Sequence, residues 1–253
     1  MITIDQFTLT AIPLELYFNE MPLGQATGFL WKNKEQHYLI TNWHVVTAQD
    51  FFTERFLHSH HGRPNVLRAR FQIPGQWEKQ QYDIRIRDQD DRPLWLIHPS
   101  RRVDIVALPF TPNEPVIIGL YPLNVPASDN LYVAIGMDVF ILGYPFKITA
   151  PAFPIWKRGS IASEPELARL TSGYMHVDTA SRPGMSGAPV ILRTWGTHIE
   201  ELGSQIDDGR PRTRFLGVYS GRVPVDHPTE AQIGLVWDGS YIDEIIAGSK
   251  RDE

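Results

Sequence analysis

The chain has 253 residues and a formal net charge of −5, so its charge gives no reason to expect nucleic acid, whose binders carry basic faces. Hydrophobic residues make up 42% and charged residues 21%, which is typical of globular proteins and excludes a disordered or fibrous chain. The sequence contains no cysteine, which excludes a thiol nucleophile, a cysteine-ligated zinc site and a disulfide-stapled fold.

Short predicted strands, separated by turn residues, follow one another through the first half of the chain. Alternating apolar and polar residues and short apolar runs predict strands over 13–19, 24–31, 36–41, 66–73, 82–87, 94–98 and 103–109. Strands at this spacing favour an all-β sandwich or barrel. The segment 44–57 has mixed helical spacing and is predicted as a helix.

A proline-rich stretch without periodicity predicts a linker over 116–135, between an N-terminal unit (1–115) and a C-terminal unit (136–253). Predicted strands in the second unit span 138–143, 155–162, 174–179, 188–193, 215–220 and 233–237, with an exposed polar excursion at 194–214. A capping box at Ser240 and Asp243 and a stop at Gly248 predict a C-terminal helix.

Membrane insertion and secretion are not expected. No stretch approaches about 18 apolar residues, the length of a membrane-spanning helix. The N-terminal residues 1–8 lack the basic start and apolar run of a secretion signal. Together with the absence of cysteine, these features predict a cytoplasmic protein.

A serine in the second half lies in a glycine-rich string, Ser181-Arg-Pro-Gly-Met-Ser186-Gly-Ala-Pro189. Glycines on both sides allow a sharp turn that exposes the Ser186 hydroxyl and the neighbouring backbone N–H groups. The N–H groups of Gly184 and Ser186 could then donate to a developing oxyanion. An ordinary Gly-Ser turn leading into a strand explains the same string.

Two residues of the first half have the side chains that a serine nucleophile needs. His44 follows an apolar strand, and a histidine can take a hydroxyl proton and return it to a leaving amine. Asp104 interrupts an apolar run, and a buried carboxylate requires a partner such as an imidazole N–H. The alternatives are a structural histidine, and an aspartate that faces solvent or pairs with Arg101 or Arg102.

These residues occur in the order His, Asp, Ser, which is the order of the chymotrypsin-type arrangement. The chain resembles trypsin-like serine peptidases of the chymotrypsin fold in the strings Ala26-Thr-Gly-Phe-Leu, Leu39-Ile-Thr-Asn-Trp-His44-Val-Val, Asp104-Ile-Val-Ala-Leu, Asp138-Val-Phe-Ile-Leu-Gly-Tyr-Pro145 and Asp178-Thr-Ala-Ser-Arg-Pro-Gly-Met-Ser-Gly-Ala-Pro189. The resemblance covers about residues 10–247 and is closest to bacterial HtrA-like members, here without a PDZ domain.

The resemblance implies two six-stranded antiparallel β-barrels with a C-terminal helix, and a serine endopeptidase that needs no metal or organic cofactor. It implies Ser186 as the nucleophile, His44 as the general acid–base and Asp104 as the group that orients the imidazole. The N–H groups of Gly184 and Ser186 would form the oxyanion hole, and the strand Tyr219-Ser220-Gly221 would pair with the substrate backbone. The expected partner is a protein or peptide substrate, without nucleic acid or membrane.

Two positions depart from the digestive members of the family. Met185 replaces an aspartate that receives a newly formed N-terminus, so we expect either narrow specificity or an activating protein partner that orders the loop before Ser186. Ala180 replaces the pocket carboxylate of trypsin, which disfavours cleavage after Lys or Arg. Arg182 and Arg222 lie near the expected substrate-binding pocket and could favour acidic substrate side chains; the alternative is that both are solvated loop charges. Small or apolar substrate side chains are as compatible with the sequence as acidic ones.

Two functions of other kinds are also considered. One is a binding or regulatory module that uses the peptidase cleft or the 194–214 excursion with little or partner-dependent turnover. The other is a zinc hydrolase that uses the string His58-Ser-His60-His61. A polar loop explains that string better, because no nearby carboxylate is present to orient the ligands.

Overall fold

The computed structural model describes residues 3–57, 62–112, 117–126, 128–147, 153–180, 182–223 and 232–253. The strands are β1 (Ala11–Phe18), β2 (Met21–Asn33), β3 (Gln36–Thr41), β4 (Val66–Gln72), β5 (Lys79–Arg85), β6 (Leu96–Ile97), β7 (Val106–Phe110), β8 (Asp138–Gly143), β9 (Ile155–Ile161), β10 (Tyr174–Asp178), β11 (Pro189–Thr194), β12 (Thr197–Ile199), β13 (Gln205–Asp207), β14 (Arg212–Arg222), β15 (Ile233–Asp238) and β16 (Lys250–Arg251). The helices are α1 (Trp43–Thr47), α2 (Pro165–Leu170) and α3 (Tyr241–Gly248), with 3-10 turns at Gln6–Leu9 and Pro145–Lys147.

The strands of the first half form an antiparallel sheet in the order β16-β6-β7-β3-β2-β1-β4-β5. Side chains alternate between the two faces of a strand, so β4 buries Leu67, Ala69 and Phe71 and leaves the arginines between them half-buried. The buried residues of β1, β3 and β7 pack against this face and form the core of the first half. This core fixes the ends of β3 and β7, where His44 and Asp104 lie.

The strands of the second half close into a six-stranded antiparallel barrel in the order β10-β15-β14-β11-β8-β9. Val139, Val177, Val190 and Val236 point into it and are fully buried. The fold is therefore all-β with a C-terminal helix, and the prediction of a chymotrypsin-type fold is confirmed. The sheet of the first half has seven strands of its own, one more than the six expected, and β16 pairs with β6 as the eighth. The division into units 1–115 and 136–253, with a linker over 116–135, stays a prediction.

Some local predictions were wrong. The helix predicted over 44–57 ends at Thr47, because Ala48 adopts a left-handed conformation at φ 54°. The sequence prediction missed α2, the strand β16 and the β12–β13 hairpin, which lies within the predicted exposed excursion and contains the buried His198.

The predicted capping box of α3 does not form, although α3 itself is present. The Ser240 side chain makes no capping hydrogen bond. The Asp243 carboxylate instead accepts a hydrogen bond from Trp31 Nε1 at 2.9 Å, and Ser240 N donates to Asp238 Oδ1. Gly248 is the last helical residue, and the left-handed residue that ends α3 is Ser249. Asp243 thus connects the C-terminal helix to β2 of the first half.

Candidate active site

A buried carboxylate fixes the residues around His44. Asp104, just before β7, is 0% exposed. Its Oδ2 lies 2.7 Å from His44 Nδ1, and its Oδ1 accepts a hydrogen bond from His44 N at 2.9 Å. The backbone oxygen of Asp104 also accepts from Asn42 Nδ2 at 2.7 Å. Because an ionised carboxylate can only accept, the Asp104 contact assigns the imidazole proton to Nδ1 and leaves Nε2 as the basic nitrogen.

The surroundings of His44 raise its pKa above the ordinary value of about 6.5. Burial opposes this and lowers the pKa of His44, because it disfavours the imidazolium. The charge of Asp104, its hydrogen bond to the ring and the charge of Asp50 together raise the pKa by more than burial lowers it. Asp50 itself accepts hydrogen bonds from the backbone N–H groups of Phe52 and Thr53. The site therefore favours a positive charge on His44.

Ser220 supplies a third contact to the carboxylate. Its hydroxyl donates a hydrogen bond to Asp104 Oδ2, the oxygen that also contacts the His44 ring. Asp104 therefore has partners on both oxygens, which compensates the cost of burying its charge. The sequence predicted Ser220 as part of the substrate-binding strand, and the structure adds this contact.

The turn around Ser186 requires glycine at two positions. Gly184 and Gly187 have φ angles of +98° and +81°, a region that side chains rarely adopt. A Cβ atom on Gly184 would collide with the backbone oxygen of Tyr144, and one on Gly187 with that of Thr27. These glycines allow the loop to approach the rest of the protein closely, while Ser186 itself is half-buried.

Thr27 of β2 holds this loop from the first half of the chain. Its backbone N–H donates to Ser186 O, and its hydroxyl donates to Gly184 O, both at 2.8 Å. The Thr27 hydroxyl also accepts from Tyr144 N at 3.2 Å. Sequence reasoning assigned Thr27 no role, although it lies in the string Ala26-Thr-Gly-Phe. That string was the signal that could have found it.

The structure places the Ser186 turn beside β14, the strand whose Ser220 hydroxyl bonds to Asp104. Gly187 N donates to Tyr219 O at 2.8 Å, which sets the serine loop beside β14. A Cβ atom on Gly221, the residue after Ser220, would lie 4.0 Å from Ser186 Oγ. Within the described residues, no hydrogen bond joins Ser186 Oγ to His44 Nε2. In free enzymes such catalytic hydrogen bonds are often long and tighten when substrate binds.

The backbone N–H groups of Gly184 and Ser186 have no acceptor in the part of the chain that the structure describes. Both belong to the turn that the positive φ of Gly184 creates, and Met185 lies between them. Two unsatisfied donors beside a serine hydroxyl can bind a developing negative charge.

Met185 anchors this turn in the core of the second barrel. Its side chain is 1% exposed and packs among the buried residues of that barrel. A Cβ atom on Gly143 would lie 2.8 Å from Met185 Sδ, so the small residue at 143 leaves room for the methionine. An apolar contact therefore occupies the position where digestive relatives form a salt bridge.

The residues predicted to bind substrate lie at different depths. Arg182 and Arg222 are exposed, and the Arg182 guanidinium lies 5.6 Å from the centre of the Phe146 ring. Ala180 is half-buried. Tyr219 is fully buried, and its backbone C=O and N–H are already bonded to Gly187 N and Ala188 O. Gly221, with φ of +108°, is half-buried beside Ser186.

The histidine string at 58–61, considered as a zinc site, lies outside the described residues. Among the residues that are described, no cluster of three or more histidine and acidic side chains has metal-binding geometry. Over the same residues, the longest apolar helices fall short of what a bilayer crossing needs.

Comparisons with known proteins give a family and a fold. A family model described as a trypsin-like peptidase domain matches residues 26–196. No curated protein matches the chain.

Similar solved structures include the serine endoprotease of Yersinia pestis, with 12% identity and a TM-score of 0.50 over 98% of this chain and 67% of that one. The Rv3671c protease of M. tuberculosis in its active form has 17% identity and a TM-score of 0.48, over 98% of this chain and 83% of that one. A human astrovirus serine protease has 14% identity and a TM-score of 0.44, over 93% and 91%. Because the family model covers more than half of the chain, the protein belongs to the trypsin-like peptidase family.

Proposed function

We propose that the protein is a serine endopeptidase that hydrolyses peptide bonds through His44, Asp104 and Ser186. The observation that carries the proposal is the bonding of Asp104. One buried carboxylate contacts the His44 ring and backbone and accepts from Ser220, which precedes the glycine beside Ser186 Oγ. This arrangement supports the assignment of His44 as the base, Asp104 as the group that orients it and Ser186 as the nucleophile.

In the proposed mechanism, His44 Nε2 takes the Ser186 hydroxyl proton as Oγ attacks the substrate carbonyl carbon. Asp104 keeps the imidazole oriented and stabilises the imidazolium that forms, in line with the raised pKa of His44. The imidazolium then donates its proton to the leaving amine, and an acyl-enzyme remains on Ser186. A water molecule, deprotonated by His44, hydrolyses this ester and restores the serine.

The N–H groups of Gly184 and Ser186 would bind the oxyanion of both tetrahedral intermediates. They have no other acceptor among the described residues and lie on a turn held by Thr27 and Met185. Donors held in place before the reaction need no reorganisation, so their effect is larger than that of water.

The substrate backbone would pair with the segment Tyr219–Gly221 as an added strand, through the residues after Tyr219, because the C=O and N–H of Tyr219 are bonded to Gly187 and Ala188. Arg182 and Arg222 are exposed and able to attract acidic side chains, while Ala180 offers no carboxylate for Lys or Arg. Either acidic or small apolar side chains are therefore the expected preference. We keep a cytoplasmic location and the absence of a required cofactor as predictions of the sequence.

A fluorophosphonate probe tests the proposal, because it forms a covalent bond with an activated serine. Purified protein should be labelled, and labelling should vanish in Ser186→Ala and in His44→Ala. Ser172→Ala is the matched control, because the described partners of the Ser172 hydroxyl are the backbone oxygens of Ala168 and Tyr174. Loss of this hydroxyl should leave labelling intact. A peptide library digested by the wild type and by Ser186→Ala would then give the cleavage preference.

A module with little or partner-dependent turnover is the second candidate. The observation that favours it is the missing hydrogen bond between Ser186 Oγ and His44 Nε2 within the described residues. Labelling in a lysate but not of the purified protein would support an activating partner. Labelling in neither would support a module that binds without turnover.

A further inference from the structure

The chain returns from the second barrel to the first half through its last residues. After α3, the strand β16 pairs with β6 in the sheet of the first half, through Lys250–Ile97 and Arg251–Leu96. On the way, Glu244 Oε2 lies 2.9 Å from His98 Nε2. We call residues 249–253 the C-terminal arm.

The C-terminal arm places one carboxylate between two tryptophans of the first half. Asp252 Oδ2 accepts hydrogen bonds from Trp43 Nε1 at 2.9 Å and from Trp95 Nε1 at 3.0 Å. Asp252 N also reaches Trp95 O, at 3.4 Å. Hydrogen bonds to an ionised acceptor are stronger than those between neutral groups, so Asp252 fixes both indole rings.

One of these indoles belongs to the residue that precedes His44. Trp43 is the first residue of α1, the single-turn helix that contains His44. Asp104 holds the residues on either side of Trp43, through Asn42 Nδ2 and His44 N. The helix is too short to hold its own position, because a single turn has few internal hydrogen bonds. Its position therefore depends on these external contacts.

We propose that Asp252 is a positioning residue for catalysis, which fixes His44 by holding the Trp43 indole. The inference rests on the proposed function and extends it to a residue outside the proposed triad. Asp252 lies far from Ser186 in sequence and does not touch the reacting atoms. Asp104 fixes the imidazole from within the cleft, and Asp252 fixes the start of α1 from the C-terminal arm. The proton transfer between Ser186 and His44 requires both.

The chain contains a matched control for this proposal, because Asp252 serves two tryptophans. Trp43→Phe and Trp95→Phe each remove one indole N–H from the same oxygen and reduce side-chain volume equally. Trp95 is fully buried and Trp43 is half-buried, so a purely structural role predicts the larger defect for Trp95→Phe. A positioning role predicts the larger catalytic defect for Trp43→Phe.

The experiment measures kcat and KM on a small ester, the rate of fluorophosphonate labelling, and the melting temperature of each variant. We expect Trp43→Phe and Asp252→Ala to lower kcat about ten- to a hundredfold, the size of effect that follows displacement of a catalytic group by about 1 Å. KM should change little. Trp95→Phe should keep wild-type kcat even where it melts earlier. Asp252→Asn, which keeps an acceptor oxygen, should restore most of the activity that Asp252→Ala loses.

Amide hydrogen exchange gives a readout that does not need activity. The His44 N–H, which donates to Asp104, should exchange faster in Trp43→Phe and Asp252→Ala than in Trp95→Phe. The Ala162 N–H, bonded to His176 O in the second barrel, serves as the reference. Wild-type kcat and unchanged His44 exchange in both Trp43→Phe and Asp252→Ala would overturn the proposal. If the wild-type protein is never labelled, the proposed function fails, and the exchange rates alone decide the role of Asp252.

Discussion

The hydroxyl of Ser220 and the ring of His44 share one oxygen of Asp104, Oδ2. The other oxygen, Oδ1, accepts from the His44 backbone. Among the described residues, the partners of this fully buried carboxylate are His44 and Ser220, one from each half of the chain. This arrangement connects the orientation of the proposed base to the strand that lies beside the proposed nucleophile.

Ser220→Ala should lower kcat/KM by about tenfold, or ~1.4 kcal/mol, because Asp104 loses a partner and orients His44 less well. Ser220→Thr keeps the hydroxyl and should retain more activity. The measurement is ester hydrolysis under pseudo-first-order conditions. Equal losses in both variants would assign the effect to packing around residue 220 rather than to the hydrogen bond.

The acidic limb of the pH–rate profile should lie above pH 6.5, because the base must be neutral and the surroundings of His44 raise its pKa. Asp50→Asn removes one of the negative charges that act on the ring and should shift this limb to lower pH. The profile of kcat/KM between pH 4 and 9 measures both. Asp83→Asn is a suitable control, since Asp83 is half-exposed and pairs with Arg68 on the sheet edge.

The raised pKa of His44 also makes protein stability depend on pH, and in the opposite direction to activity. Because the pKa of folded His44 is higher than in the unfolded chain, the folded state binds the proton more tightly. The stability that His44 contributes is therefore fully present below about pH 6.5 and is lost as pH rises through the folded pKa. Replacing His44 by Gln should remove this part of the pH dependence in denaturant titrations, and an unchanged pH dependence would contradict it.

Gly184→Ala should abolish fluorophosphonate labelling. The added Cβ meets Tyr144 O, and the φ of +98° adds a backbone cost of about 1–3 kcal/mol. Gly203→Ala is matched in conformation, with φ of +85°, but has open space around the added atom. Gly203→Ala should lower the free energy of unfolding only by the cost of placing a side chain at positive φ, and it should keep the wild-type labelling rate.

Met185→Leu conserves volume and should cost less than ~1.5 kcal/mol, whereas Met185→Ala leaves a cavity and should cost about 2–5 kcal/mol. Met185→Asp would bury a charge without a partner and should prevent formation of the turn. Labelling rates should follow the same order, if the packed methionine keeps the Gly184 and Ser186 N–H groups in place. Fast labelling of a folded Met185→Ala variant would contradict this, because the two N–H groups would then keep their positions without the methionine.

Lys79→Met should stabilise the protein near neutral pH. Burial, assisted by the charge of Arg70, lowers the pKa of Lys79 to about 7, and its ammonium group lies 2.5 Å from the Tyr144 hydroxyl. The cost of burying this charge is absent above pH 10.5 and grows as pH falls towards 7. The variant should gain stability at pH 7 and gain much less at pH 10. Thermal melts at the two pH values measure the difference.

The sequence predicted the strands of both halves because each has an alternating or short apolar pattern that its own residues determine. The local strings also led to the prediction of His44, Asp104 and Ser186 as a triad; the structure contains the His44–Asp104 contact, and the triad itself stays a prediction. The capping box of α3 failed because Asp243 bonds to Trp31, a residue 212 positions away. No local pattern contains information about such a competitor.

The roles of Thr27 and Asp252 were not predicted from the sequence, for the same reason. The Thr27 hydroxyl bonds to Gly184 across 157 positions, and Asp252 reaches Trp43 across 209. Thr27 lies in a string that carries the family resemblance, but the string does not reveal its partner, and Asp252 lies in a string without any motif. Their contacts depend on how the two halves meet, which follows from the packing of whole sheets rather than from any periodicity.

The pairing of β16 with β6 makes the first sheet depend on the far end of the second half. Lys250 and Arg251 cover the edge of β6, which would otherwise present unpaired N–H and C=O groups. Detachment of this short strand would uncover that edge and release the Trp43 indole in the same event. Local opening at one edge of the fold should therefore be felt at the segment that carries the proposed base.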